Sequence, residues 1–239
     1  MIANRLIAHR GCAQLAPENT LGAMRLTQRL GIDWVEIDAN LVGDGTVVIF
    51  HDDELSRLSK DQGRLMSLTY ADLAHVDVGS HFSAEYSAER IPTLDEMLVF
   101  LSQHQFGLNL EIKRYEHFSA EQIVEPSIRA LEQNWQAFDR LIISSFDTEI
   151  LQLIQQRKPE WPLGQLWEAL PDNWQSIAES LGAVSIHLDY SQLTTDQARA
   201  IKQAGYDLYV YTVNDPNAAK CLFEMGVDGI FTDNPTLFD

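Results

Sequence analysis

The stretch TTDQARAIKQAGYDLYVYTVNDPNAAKCLFEMGVDGIF, residues 194–231, holds two copies of one pattern. A helical run over 195–204 stops at Gly205 and leads into the β-rich run 208–211; a second over 216–225 stops at Gly226 and leads into 229–231. Pro216 suits a first helical turn, whose N–H groups have no partner, and Gly suits the left-handed residue that ends a helix. Outward from this stretch the pattern recurs toward the N-terminus. Strand runs fall at 6–8, 34–37, 108–112, 141–144, 163–166 and 184–188, with helical runs over 18–30, 120–133, 148–156 and 172–181. Strands separated by helices belong to parallel α/β architecture, and eight of them predict a closed TIM barrel. A doubly wound open sheet shares the local signals and is the alternative, although the chain carries no Gly-rich dinucleotide turn.

One β run, 46–50, breaks the alternation, because only Gly43-Asp44-Gly45 separates it from the second strand. Three residues cannot make a parallel crossover but do make a hairpin, so this run is expected to fold back antiparallel on 34–42. Counting outward from Asp44 then carries His51 close to Asp38. From 53 to 92 the alternation lapses into a polar stretch, read as an insertion over one barrel end within a single domain spanning 1–239. The 239 residues are 45% apolar and 22% charged, ordinary for a globular protein. With 17 Lys+Arg against 35 Asp+Glu the net charge is -18, which repels nucleic acid and anionic membrane surfaces, so neither is an expected partner. An anionic substrate would need local positive charge. Cys12 and Cys221 form no C-x-x-C pair, and the first residues lack an apolar leader, so a cytoplasmic location is expected.

Residues two apart in a strand share a face, which joins Glu36 to Asp38 and joins Asn109, Glu111 and Lys113. These residues and His9 sit late in their strands, at the barrel end where active sites form. The hairpin adds His51. Three carboxylates, Glu36, Asp38 and Glu111, make a hard-oxygen site suited to one divalent cation, Mg²⁺ or Ca²⁺, with the choice left open. Arg10 and Lys113 can bind a phosphate, and two histidines beside it can divide general base and general acid work.

His9-Arg10-Gly11, Pro17-Glu18-Asn19-Thr20, Glu36-Ile37-Asp38, His51-Asp52 and Glu111-Ile112-Lys113 resemble, in order and spacing, the motifs of the glycerophosphodiester phosphodiesterase family. The resemblance extends through Arg90-Ile91-Pro92-Thr93-Leu94, Tyr211-Thr212-Val213-Asn214 and Thr232-Asp233, and is closest to the short bacterial cytosolic branch. It implies a distorted TIM barrel that hydrolyses glycerophosphodiesters to sn-glycerol 3-phosphate and an alcohol. It further implies His9 as proton acceptor, His51 as proton donor, Arg10 and Lys113 on the phosphate, Glu36, Asp38 and Glu111 on the metal, and a cyclic phosphate intermediate. Glu18 and Asn19 are expected to orient the first loop and cap the first helix. Ser145, Phe146 and Trp167 are expected near the substrate, and His187 and Cys12 in the packing. Three other readings share these residues: a lysophospholipase D or phosphoinositide-type phospholipase acting on lipids, an aldolase-like barrel with Lys113 as Schiff base, and a non-catalytic metal-binding protein.

Overall fold

Strand β2, Trp34–Leu41, is buried along its whole length, which suits a strand lying between a filled barrel and covering helices. A computed structural model describes residues 5–115 and 117–238 of the chain. Strand β1, Leu6–His9, pairs in parallel with β2 on one side and with β9, Gly229–Thr232, on the other. Between them β4 (Gly107–Ile112), β5 (Leu141–Ser145), β6 (Leu163–Trp167), β7 (Ser185–Asp189) and β8 (Asp207–Tyr211) continue the parallel ladder from β2 round to β9. The first and last strands meet, so eight parallel strands close a barrel and the open-sheet alternative is excluded. The expected hairpin is present: β3, Val47–Ile49, lies antiparallel on β2 with Ala39 opposite Ile49. The Phe50 N–H donates to the Asp38 carbonyl at 2.9 Å, and that register delivers His51 beside the end of β2.

The covering helices are α1 (Leu21–Arg29), α3 (Leu94–Gln103), α4 (Ala120–Asn134), α5 (Thr148–Arg157), α6 (Trp174–Leu181), α7 (Thr195–Gln203) and α8 (Pro216–Glu224). Helix α1 starts later than the residue pattern suggests because the Thr20 hydroxyl, not Glu18 or Asn19, caps it by accepting from the Ala23 N–H at 3.1 Å. Strand β7 starts at Ser185, with Val184 exposed before it. Helix α3 was not expected, yet it supplies the crossover from the hairpin to β4. Thr93 and Glu96 form its capping box, and Leu94, Met97, Leu98 and Leu101 bury one face at helical spacing.

Alternate residues of each strand point to opposite sides. Val35, Ile37, Leu108 and Leu110 face the helices, while Ile7, Trp34, Ile142, Tyr209 and Phe231 form an interior cluster. Gly107 is required there, since a Cβ would meet the Trp34 ring at 2.2 Å. The segment 53–92 departs from its polar reading. Around the short helix α2, Tyr70–Leu73, it gathers Leu55, Leu58, Leu65, Leu73, Val76, Val78 and Ile91 on Val42, Val48 and Phe50 of the hairpin. Among the described residues, no helix is long and apolar enough to cross a membrane.

Candidate active site

The parallel register sets the site. His9 lies opposite Glu36 and Glu36 opposite Asn109, while Asp38 lies opposite Glu111 one layer further toward the strand ends. These residues open onto a cavity of about 140 Å³. His9, Arg10, Glu36, His51, Glu111 and Lys113 form its polar side, and Phe146, Leu166, Tyr211 and Phe231 an apolar one. The site residues expected from the sequence therefore come together, with Asp38 buried just behind the wall.

Glu36, Asp38 and Glu111 each offer a carboxylate oxygen within 4.8 Å of the others. Burial, then the charges of Asp38 and Glu111, push the Glu36 carboxyl well above its usual range. Burial also raises Glu111, with Lys113 opposing and Asp38 adding to the shift. Asp38 goes the other way: burial is outweighed by Lys113, Arg10, His51 and Asn19, which hold it well below the carboxylate range. Lys113 Nζ lies 2.5 Å from Glu111 and 3.1 Å from Asp38, and Arg10 Nε lies 3.3 Å from Asp38. Asn19 donates to Asp38 at 2.8 Å. Glu36 Oε2 accepts the Arg10 N–H at 3.1 Å, whereas Glu36 Oε1 is buried without a hydrogen-bond partner among the described residues. An orphaned carboxylate oxygen inside an all-oxygen trio is what a hard divalent cation satisfies.

Each histidine is oriented by a carboxylate that was left out of the expected site. His9 Nδ1 donates to Asp233 Oδ1 at 2.6 Å, and Asn214 holds the other Asp233 oxygen at 2.7 Å. His51 Nδ1 donates to Asp52 Oδ1 at 2.6 Å, and Tyr115 donates to the His51 carbonyl at 2.7 Å. In both, a carboxylate on Nδ1 leaves Nε2 as the nitrogen for chemistry. Burial lowers the His51 pKa, with Asp38 opposing and Lys113 and Arg10 adding to the shift. Asp52 and Asp233 are themselves members of the His51-Asp52 and Thr232-Asp233 motifs, which is the signal that marks them.

The loop after β1 is strained: Arg10 and Cys12 take φ of 51° and 63° on either side of Gly11. Left-handed non-glycine residues cost roughly 1–2 kcal/mol each, and here they turn the Arg10 N–H onto Glu36. Glu18 and Asn19 do not cap α1. Glu18 accepts from Arg10 at 2.8 Å, and Asn19 is spent on Asp38. Phe146 lines the cavity, while Ser145 is buried on the Ile112 carbonyl at 2.7 Å and Trp167 uses its carbonyl to accept from Tyr211 at 3.0 Å. His187 is a core histidine, bonded to Ser185 at 2.9 Å and pushed by burial down to about 3. Burial pushes the Cys12 thiol up to about 11, which suits packing rather than attack.

The model of the glycerophosphoryl diester phosphodiesterase family matches residues 9–237. A glycerophosphodiester phosphodiesterase of Caldanaerobacter subterraneus is 32% identical over 96% of this chain and 94% of its own. One from Bacillus subtilis is 29% identical over 97% of this chain and 84% of its own. The solved structure of an Oleispira antarctica phosphodiesterase in complex with the product sn-glycerol-3-phosphate superposes with a TM-score of 0.94 at 39% identity, covering 98% of this chain and 94% of that one. The same motifs that meet in one cavity lie within the matched span, and the chain belongs to the glycerophosphoryl diester phosphodiesterase family.

Proposed function

We propose that this phosphodiesterase hydrolyses glycerophosphodiesters to sn-glycerol 3-phosphate and an alcohol, using one Mg²⁺ or Ca²⁺ and a pair of histidines. The observation that carries the reading is that His9 and His51 line the same cavity as Glu36 and Glu111. The product bound by the Oleispira antarctica relative supports the substrate class.

Glu36, Asp38 and Glu111 are the residues that would hold the cation, and when bound it supplies Lewis-acid stabilisation of charge on the phosphoryl oxygens. With the carboxylates so committed, Arg10 and Lys113 are the cations available to the phosphate. Phe146, Leu166, Tyr211 and Phe231 pack against the glycerol carbons. His9 Nε2 removes the proton of the glycerol 2-hydroxyl as its oxygen bonds to phosphorus, with Asp233 stabilising the imidazolium that forms. His51 Nε2 gives its proton to the departing alkoxide as the second phosphorus–oxygen bond breaks. Water then opens the resulting cyclic phosphate with the two proton transfers reversed. The segment 53–92 belongs to this same unit, and the acidic chain works in the cytoplasm on small molecules, without a nucleic-acid or membrane partner.

The test is a coupled assay for released glycerol 3-phosphate across several head groups, with EDTA and metal add-back. Glycerol 3-phosphate appears, chelation stops it and either ion restores it. Turnover that survives chelation sinks the metal assignment.

A further inference from the structure

Arg57 lies outside the cavity and the mechanism does not use it, yet it is bonded to both halves of the site. It ends the short turn Leu55–Arg57, which is anchored by buried Leu55 and Leu58 in the apolar cluster of the 53–92 segment. Its Nε donates to Asp52 Oδ2 at 2.5 Å, and its two terminal nitrogens donate to Glu18, Nη1 to Oε2 at 2.8 Å and Nη2 to Oε1 at 2.7 Å. The other Asp52 oxygen accepts from His51, and Glu18 Oε1 also accepts from Arg10. One guanidinium thus joins His51 through one carboxylate and Arg10 through another.

An exposed ion pair ordinarily contributes little, and Arg57 is 45% exposed. The partners make this pair different. Glu18 is 11% exposed, is shared by two guanidinium groups and is gripped by both its oxygens, a geometry that only the planar fork of Arg supplies. Asp52 is held at both oxygens, so it cannot swing away from His51. The exposed Arg64–Glu54 pair of the same segment has no such connection among the contacts found for it.

We propose that Arg57 is a positioning residue, which fixes Asp52 so that His51 presents Nε2 to the leaving alcohol and fixes Glu18 so that Arg10 faces the phosphate. The inference rests on the acid–base reading above. The two arms act on different quantities. Asp52 governs proton delivery and therefore kcat, Glu18 governs phosphate binding and therefore KM, and Arg57 governs both.

The experiment is steady-state kinetics of the full chain on glycerophosphocholine with saturating metal. Arg57→Ala is expected to lower kcat by about 10- to 100-fold and to raise KM, the range typical of residues that orient a catalytic group. Asp52→Asn lowers kcat with KM nearly kept, and Glu18→Gln raises KM with kcat nearly kept. Free guanidinium below denaturing concentration restores part of the Arg57→Ala rate, because the half-exposed gap admits it. Arg64→Ala is the control and keeps wild-type kinetics. Where Arg57→Ala fails to fold, Arg57→Lys keeps the charge without the fork and shows the same direction in kcat and KM. Wild-type kcat and KM for Arg57→Ala overturn the proposal, as does a loss confined to melting temperature. His51→Ala separates the two ideas: if it too keeps turnover, the acid–base reading fails, and if it abolishes turnover while Arg57→Ala does not, only the positioning role fails.

Discussion

The two ends of the barrel interior are built from the same strands and are opposites. On β2, Trp34 and Asp38 point inward four residues apart. At the lower end Trp34 packs with Ile7, Ile142, Tyr209 and Phe231, and the buried imidazole of His187 beside them is neutral and bonded to Ser185 through Nε2, with Nδ1 unpartnered among the described residues. At the mouth Glu36, Asp38 and Glu111 crowd together, and the buried Glu36 Oε1 and Asn109 Oδ1 have no partner among the described residues. The lower end contributes stability by excluding water from apolar surface, whereas the mouth retains buried like charges that a cation or substrate must satisfy. Placing both on one set of strands lets a rigid base hold a poorly satisfied site in register.

That contrast can be broken by substitutions at each end. His9→Ala and His51→Ala, at the mouth, are expected to lower kcat by about 10²- to 10⁴-fold with melting temperature nearly unchanged; comparable turnover in either would remove the acid–base assignment. Trp34→Ala, at the lower end, should cost about 3–5 kcal/mol in denaturant unfolding while the folded fraction keeps its kcat. His187 sharpens the comparison through pH. Its imidazole takes up a proton at about 6.5 in the unfolded chain but only near 3 when folded, so the unfolded state binds more protons between those values. Stability therefore falls as pH drops through that window and is unaffected by this group above it, and His187→Gln should flatten the slope in thermal melts of metal-free protein. The smallest effect is the most discriminating: Glu36→Gln should impair metal binding yet stabilise the chelated protein by about 1 kcal/mol, because it removes a carboxyl group whose ionisation burial and its acidic neighbours oppose. A lower melting temperature for that variant under EDTA would contradict the view of the mouth as strained by charge.

What could be read from the residues, and what could not, follows the same division between local and distant. Helix-stop glycines such as Gly205 and Gly226 mark repeats locally, and Gly43-Asp44-Gly45 alone excludes a crossover, so the barrel and the placement of His51 beside β2 were legible. Glu36 and Asp38 share a face by strand geometry, which made the acidic trio legible too. Helix α3 is hard to read from the residues although Thr93 and Glu96 signal its start, because it follows a segment without period. The apolar residues of 53–92 are held by irregular turns and have no spacing to betray them. The Glu18–Arg57 contact spans 39 positions, and only the folded chain brings the two side chains together.

The bond between His9 and Asp233 joins residues 224 positions apart, across the seam where β1 meets β9. During synthesis His9 emerges early and its carboxylate late. A polypeptide halted within α8 already carries His9, His51, Glu36, Asp38 and Glu111, but not yet the Asp233 that holds the His9 ring. On the reading proposed above, activity awaits the last strand, which closes the barrel and brings Asp233 to His9.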